Sequence, residues 1–409
     1  MGPMEYDKAA KLLASLVQPV ETCRIPLAQC GGAVLARELT ANENVPAFDR
    51  SPYDGYAFRA EDTGDASREH PAVLRILEEI PAGSVPGCEV TAGTAVKILT
   101  GAPIPPGADA VIMYEKTEFT KETVSVFAPS SPGDNIIYAG EDVKKGQLLA
   151  APGMRIDPGL AGTLASQGVA EPEVFRKVRA GIISTGSELV ELGSFEKGQQ
   201  VLPPGKIRNT NRYMLEAALG KDGCRTEYLG IAGDDAGRIA DLICQGLDSC
   251  DIVVLTGGVS AGDYDLTPQA MEQAGCEILF RGVGLKPGMA CCYGIRDGKL
   301  VCGLSGNPSS ALTNYYAVLR PSIRKMTGLL PYEPERITVT LAEGFGKKSG
   351  QVRILKGKMK IEDGRIVMHP ARGQGNVMIS SSIGCDVLAI VPAGSGKLEA
   401  GTQLEGFLV

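Results

Sequence analysis

The stretch Val253-Val254-Leu255-Thr256-Gly257-Gly258-Val259-Ser260-Ala261-Gly262-Asp263-Tyr264-Asp265 decides the fold. It begins as a short apolar, β-branched run, the pattern of a strand buried on both faces. It then breaks into a loop carrying three glycines, a serine and two aspartates. Glycine lets backbone approach a ligand, and successive free N–H groups in such a turn form an anion-binding concavity. Carboxylates repel phosphate but hold it through Mg²⁺. The stretch therefore predicts a phosphate-plus-metal site at the carboxyl end of a parallel strand. The plainer alternative is a Gly-rich turn ahead of a helix that Thr267-Pro268 starts, and the stretch alone leaves both open.

Outward from it, strands alternate with helices of about ten to eighteen residues, the βαβ signature of a doubly wound parallel sheet over residues 178–327. Strands are expected at Arg179–Ser184, Thr226–Ile231, Asp251–Leu255, Glu277–Phe280, Met289–Cys292 and Leu300–Gly303. Helices are expected near Asn211–Lys221, Asp235–Leu247, Thr267–Ala274 and Pro308–Met326. Ligands of such sheets lie beyond the carboxyl ends of the strands. The loops there gather glycines and polar groups: Thr185, Gly186 and Glu188; Asp235; Thr256, Gly257, Gly258, Ser260, Gly262 and Asp263; Lys286; and Ser305, Gly306, Asn307 and Pro308. Five such loops on one edge are harder to explain as turns than one. No Walker A pattern and no strand-following G-x-G-x-x-G is present, so this is neither a P-loop enzyme nor a dinucleotide binder.

The flanks read differently. Ala9, Leu12, Leu13 and Leu16 mark an amphipathic helix over 4–17. With the short elements up to residue 45 and those of 147–177, it makes an N-terminal domain. Residues 46–146 make an inserted β-rich domain of short strands separated by Pro/Gly turns, with 46–59 read as a structured loop. Within it, spacing alone gives Asp49 and Asp54 as turn caps and picks out Thr100 and Asp142 only weakly. Residues 331–409 predict a small β-barrel, with strands including Val352–Leu355 and Lys358–Ile361. Its turn 370–376 offers Arg372 as an anion binder. His369 opens that turn and reads as structural.

Composition narrows the chemistry. The 409 residues suggest about two to four domains. A net charge of −7, no Trp and no long Lys/Arg run argue against nucleic-acid binding or a membrane surface. The eleven cysteines include no C-x-x-C, as expected of small buried thiols in a reducing compartment. The polar, helical start is no signal peptide, so a soluble cytoplasmic protein is expected. Two histidines leave catalysis to carboxylates, hydroxyls, lysines and an oxygen-loving metal. Acids holding Mg²⁺, with a lysine and backbone donors on phosphate, suit phosphoanhydride chemistry by positioning and charge stabilisation.

At this point the order of motifs becomes specific. Asp49-x-Ser51-x-x-Asp54-Gly55-Tyr56-Ala57, Thr100-Gly101-Ala102-Pro103, Ser184-Thr185-Gly186-Ser187-Glu188-Leu189, Thr256-Gly257-Gly258-Val259-Ser260-x-Gly262-Asp263 and Gly306-Asn307-Pro308 together closely resemble the MoeA molybdenum insertases, related to the E domain of gephyrin. The resemblance spans essentially the whole chain. It implies an elongated homodimer of four-domain subunits that binds adenylylated molybdopterin and molybdate. It implies Mg²⁺-dependent AMP release with metal insertion, in a cleft between the doubly wound domain of one subunit and the β-rich and C-terminal domains of the other. By matching motifs, it gives functional positions to Asp54, Thr100, Asp142, Glu188, Asp235, Asp263 and Lys286, with Asp263 and Glu188 on the metal. Three positions depart from the family pattern: Met289 and Gln351 where basic residues are common, and Asn376 where Ser is common. All three concern oxyanion and phosphate contacts. Two other readings stay open: a molybdopterin adenylyltransferase, resembling residues 178–326 alone, and a non-catalytic molybdopterin-binding scaffold. As an insertase, the protein is also a possible partner of the adenylyltransferase.

Overall fold

The computed structural model describes residues 2–194, 201–260 and 265–409. It divides into two compact units, Met1–Arg37 with Pro152–Pro158 and Glu171–Val409, and Glu38–Ala151 with Gly159–Ala170. In the first unit, helix α1 (Tyr6–Leu16) buries Tyr6, Ala9, Ala10, Leu13 and Ala14. These residues recur every three to four positions, so they form one stripe that joins the main core.

The second unit is built on a six-stranded sheet. In chain order the strands are β1 (Gly55–Phe58), β2 (Ala72–Ile80), β3 (Thr94–Ile98), β4 (Ala110–Met113), β5 (Thr117–Phe119) and β6 (Thr123–Val126). Their spatial order is β4-β1-β3-β2-β6-β5. Strand β1 corrects the loop reading of 46–59. Tyr56, Ala57 and Phe58 are fully buried between β3 and β4. The preceding Pro and Asp residues masked a short strand whose aromatic side chains fill the core.

The larger sheet of the first unit has strands β7 (Arg179–Ser184), β8 (Arg225–Ile231), β9 (Ile252–Thr256), β10 (Glu277–Arg281), β12 (Cys291–Arg296) and β13 (Lys299–Leu304), with the short β11 (Leu285–Lys286) belonging to the barrel described below. The order is β8-β7-β9-β13-β12-β10. The first four strands are parallel, as the βαβ pattern predicts. Strands β12 and β10 are antiparallel to their neighbours. The reason is a two-residue turn, Asp297-Gly298, with φ of 52° and 76°. Two positive φ values make a turn that can join only antiparallel strands. The expected strand at Met289–Cys292 is correspondingly shifted to Cys291–Arg296. Helices α2 (Thr210–Lys221), α3 (Ala236–Ser249) and α4 (Thr267–Gln273) cover the sheet. The last helical run is α5 (Pro308–Asn314), a π-turn (Tyr315–Leu319) and α6 (Arg320–Met326). Successive strand residues face opposite cores: Ile182, Val254 and Cys302 join one cluster, and Ile183, Val253 and Val301 the other. That two-sided burial is what a doubly wound sheet requires.

The C-terminal strands are β14 (Arg336–Leu341), β15 (Val352–Glu362), β16 (Arg365–Pro370), β17 (Val387–Val391) and β18 (Gln403–Leu408). They close into a five-stranded barrel through the β15–β17 pairing, with β11 added in parallel to the start of β15. The two strands expected at 352–355 and 358–361 are one. Gly357, between the two expected strands, is a point of close approach: a Cβ there would lie 2.5 Å from the Met368 side chain.

Candidate functional site

Three neighbouring parallel strands, β7, β9 and β13, end together, and their loops are fastened to one another. The Thr185 N–H and hydroxyl both donate to the Thr256 carbonyl, at 2.9 and 3.1 Å. The Gly257 N–H donates to the Leu304 carbonyl at 3.0 Å. Gly257 has φ +103°, and a Cβ on it would lie 2.5 Å from both the Thr185 carbonyl oxygen and its hydroxyl. Only glycine permits loops this close. The Thr267 hydroxyl closes the back of the Gly257-Gly258 turn by donating to the Gly257 carbonyl at 2.9 Å. Ser260 is exposed beyond it, and Gly262 and Asp263 lie outside the described residues.

Two buried polar atoms beside these loops have no partner among the described residues. One is Thr256 Oγ1, on a residue 1% exposed. The other is Asn211 Oδ1, whose Nδ2 donates to the Gly306 carbonyl at 2.8 Å. Native interiors leave few such atoms, because each costs about 1–3 kcal/mol of desolvation. Their position under the strand-end loops makes them candidates for contact with a bound polar group. Asn211 was missed from the sequence because it lies in the first turn of α2, not in a strand-end loop.

Glu188 is exposed, and its carboxylate folds over Gly186, so that a Cβ at Gly186 would collide with Oε2. The loop beneath it is held by Asp234, which accepts from the Ser187 N–H at 3.2 Å. Behind it lies a polar cluster. Asn209 Nδ2 reaches Ser184 Oγ, Glu191 Oε2 and the Tyr228 hydroxyl at 3.0–3.1 Å. Burial pushes Glu191 up, but donors from Tyr213, Leu192, Arg212 and Asn209 outweigh it and hold the carboxyl down at about 2. Asp235 is the N-cap of α3, accepting from the Arg238 N–H at 3.0 Å, which gives it a structural duty at the same edge.

Lys286, exposed in β11, is the register partner of Arg353 in β15. Arg353 is 7% exposed, stacks over the Phe345 ring at 5.5 Å, and its Nε has no partner among the described residues. Arg353 lies two residues beyond Gln351, and its burial marks it as a candidate. Of the positions that depart from the family pattern, Met289 and Gln351 lie three and two residues along the chain from this pair. Gln351 Nε2 contacts Met289 Sδ at 3.5 Å. The Asn376 carbonyl accepts from the Ser310 N–H at 3.3 Å, two residues after Pro308. Arg372 is exposed on the following turn. His369 has a partner after all, Glu362 Oε1 at 3.0 Å, consistent with a structural role.

The remaining predicted residues belong to the second unit. Asp54 Oδ1 accepts from both the Thr100 N–H and the Thr100 hydroxyl, each at 2.7 Å. Asp54 is therefore no self-capping turn residue: it fastens a loop 46 positions away. Asp49 does the same for Ala139, at 2.7 Å. Asp142 is exposed, with its N–H on the Val45 carbonyl at 3.0 Å. The Thr100 backbone N–H, then its hydroxyl, hold the exposed Asp54 carboxyl below the usual aspartate range. Asp54 thus stays ionised to lower pH than a free aspartate. In a Thr100→Ala chain the hydroxyl donor is lost, and the Asp54 midpoint, followed by carbon-detected NMR titration, is expected to move up toward the ordinary value. An unchanged midpoint would show the hydroxyl to be irrelevant.

Among the described residues no cluster of three His, Cys, Asp or Glu forms a ready metal cage, and no helix is long and apolar enough to cross a membrane.

Comparison with known proteins matches this architecture. Residues 4–168 match the MoeA N-terminal region (domain I and II), residues 181–325 a probable molybdopterin binding domain, and residues 338–407 the MoeA C-terminal region (domain IV). A molybdopterin molybdenumtransferase of Bacillus subtilis (strain 168) is 34% identical over 413 residues, covering 100% of this chain and 94% of the relative. One from Staphylococcus epidermidis is 32% identical over 406 residues, covering 99% and 96%. The crystal structure of a molybdopterin biosynthesis moeA protein from Pyrococcus horikoshii OT3 superposes with a TM-score of 0.84 at 31% identity, covering 100% of both chains. The fold and its strand-end loops are thus those of a full-length relative of molybdopterin-biosynthesis proteins. The chain belongs to the MoeA family.

Proposed function

We propose that this chain is a molybdopterin molybdenumtransferase, an enzyme of molybdenum cofactor biosynthesis that takes adenylylated molybdopterin and molybdate and releases AMP. The observation that carries this reading is the interlocked set of strand-end loops over Thr256 Oγ1 and Asn211 Oδ1. Buried, unpaired acceptors and hydroxyls suit the polar edges of a pterin or a phosphate, and the glycines at 186, 257 and 306 let backbone N–H groups approach it. Thr185, Ser260, Ser305, Asn307 and Pro308 complete that wall.

Lys286 and Arg353 are the residues that suit molybdate. An oxyanion needs donors that fold-internal acceptors have not consumed, and Arg353 Nε is one. Arg372 is a further phosphate contact. Met289 and Gln351 bring no charge beside the pair, so the oxyanion is held there by two cations. In the second unit Asp54, its orientation fixed by Thr100, offers Oδ2 as an ionised acceptor and Asp142 adds a carboxylate; in the first unit Asp235 adds one at the strand ends.

The donor set fits a hard cation. Glu188 presents an exposed carboxylate folded over Gly186. Glu188 and Asp263 would hold Mg²⁺, which when bound neutralises charge on the phosphoanhydride. We further propose that the active form is a homodimer in the cytoplasm, that the adenylyltransferase supplies its substrate, and that no nucleic acid is involved. A scaffold would have no use for an unpaired buried Arg353. An adenylyltransferase reading accounts only for the doubly wound sheet.

The test is to incubate the full chain with adenylylated molybdopterin, molybdate and Mg²⁺ while following AMP. Release that depends on both molybdate and Mg²⁺ is expected, and an Asp263→Ala chain is expected to be folded and inactive. Absence of any release from the folded wild-type chain would sink the enzyme reading.

A further inference from the structure

Lys356, in the middle of β15, is 2% exposed. Its backbone is pinned by Gln374: the Lys356 N–H donates to Gln374 Oε1 at 3.1 Å, and its carbonyl accepts from Gln374 Nε2 at 2.9 Å. Its ammonium donates to the hydroxyl of Ser309, on the second residue of α5. No carboxylate pairs with it among the described residues. Desolvation pulls the ammonium below the usual lysine range, with Cys385 acting weakly the other way. Cys385 cannot serve as counter-charge, because burial pushes its thiol up and keeps it neutral. Beside Lys356 lies a cavity of about 40 Å³, lined also by Ser382, Cys385, Thr313 and Tyr316. The Ser382 hydroxyl is buried with no partner among the described residues. The Thr313 hydroxyl is committed to the Ser309 carbonyl at 2.8 Å.

We propose that this cavity binds one small monovalent anion of halide size, held between the Lys356 ammonium and the Ser382 hydroxyl. A buried ammonium without counter-charge carries an uncompensated desolvation penalty. An ammonium has three donors, and Ser309 takes one. The Ser382 O–H needs an acceptor. An anion meets all three requirements, whereas a water supplies no charge. The volume is a few times the ~10–15 Å³ needed to admit one water, which leaves room for a small ion beside the ammonium. The bound anion fastens the barrel to the start of α5, directly after the Ser305–Pro308 loop. The proposal stands independently of the enzyme reading.

The experiment compares the thermal unfolding of the full chain in sodium chloride, sodium bromide and sodium gluconate at equal ionic strength, with crystals grown in bromide. The expected result is a Tm about 2 °C higher in either halide than in gluconate, rising with halide concentration. A Lys356→Met chain is expected to show no such difference, and anomalous bromide density is expected in the cavity. Should Lys356→Met not fold, Ser382→Ala, which removes only the hydroxyl, is expected to shrink the halide increment. A halide-independent Tm, an increment unchanged in the variants, or bromide only at the surface would overturn the proposal.

Discussion

An Asp222→Ala chain is expected to lose about 3–5 kcal/mol from the unfolding of the first unit, the cost of stranding a buried cation. Asp222 follows α2 and is 3% exposed. Both its carboxylate oxygens accept from Arg320 Nε at 2.9 Å, and Oδ2 also accepts from the Tyr315 hydroxyl at 2.7 Å. The Arg320 side chain is only 11% exposed. Removing the acid leaves Arg320 Nε without its acceptor and weakens the hold on Tyr315. The damage does not stay local. Arg320 also donates from Nη1 to the Leu408 carbonyl at 3.0 Å, so one guanidinium joins the end of α2, the last helical run and the final barrel strand. Thermal unfolding with probes in each unit would read the loss as a fall of about 10 °C in the Tm of the first unit only. The decisive control is Asp222→Leu with Arg320→Met. Replacing the whole pair with apolar groups is expected to be nearly neutral. A double variant as unstable as Asp222→Ala would show that the loss came from packing and not from a stranded charge.

Neither residue of that pair was legible in the sequence, and the reason is general. They stand 98 positions apart, and no local pattern marks a charge that will be buried. What was legible had a period. The alternation of apolar strands with amphipathic helices placed the doubly wound sheet, and the same alternation placed the loops at its strand ends. The antiparallel edge was not seen, because it turns on the single dipeptide Asp297-Gly298 and not on a run of residues. Strand β1 was hidden by the Pro- and Asp-rich loop that feeds it.

The site divides in the same way. Thr185, Thr256, Gly257 and Gly306 are legible as candidates because strand ends are legible. Asp54 and Thr100 came only from family resemblance, since a hydrogen bond across 46 residues leaves no spacing signal. Asn211 and Arg353 are conspicuous for the partners they lack. An unmade hydrogen bond is a property of the folded molecule and has no counterpart in a string of residues.

That missing partner sets the largest expected effect on activity. Arg353→Met is expected to raise the KM for molybdate, or lower kcat where molybdate saturates, by about 100-fold, the scale lost with one preorganised donor to an oxyanion. The same substitution is expected to leave the fold as stable as before, or more so. It removes a buried cation whose Nε has no acceptor among the described residues, and it keeps a flexible apolar side chain over the Phe345 ring. Loss of activity with gain of stability is the signature of a residue kept for binding. A residue kept for packing would lose both. Lys286→Met should weaken molybdate in the same direction without altering stability, because Lys286 is exposed. Met289→Lys should act oppositely. It places a third cation beside the pair, at the position where the thioether now contacts Gln351, and is expected to lower the KM for molybdate at low ionic strength. The three variants are read by AMP release against molybdate concentration, with denaturation curves alongside. If Arg353→Met leaves the molybdate dependence unchanged, the oxyanion is not held by the β11–β15 pair. If it destabilises the barrel by several kcal/mol, Arg353 is a core residue whose unpaired Nε has another cause.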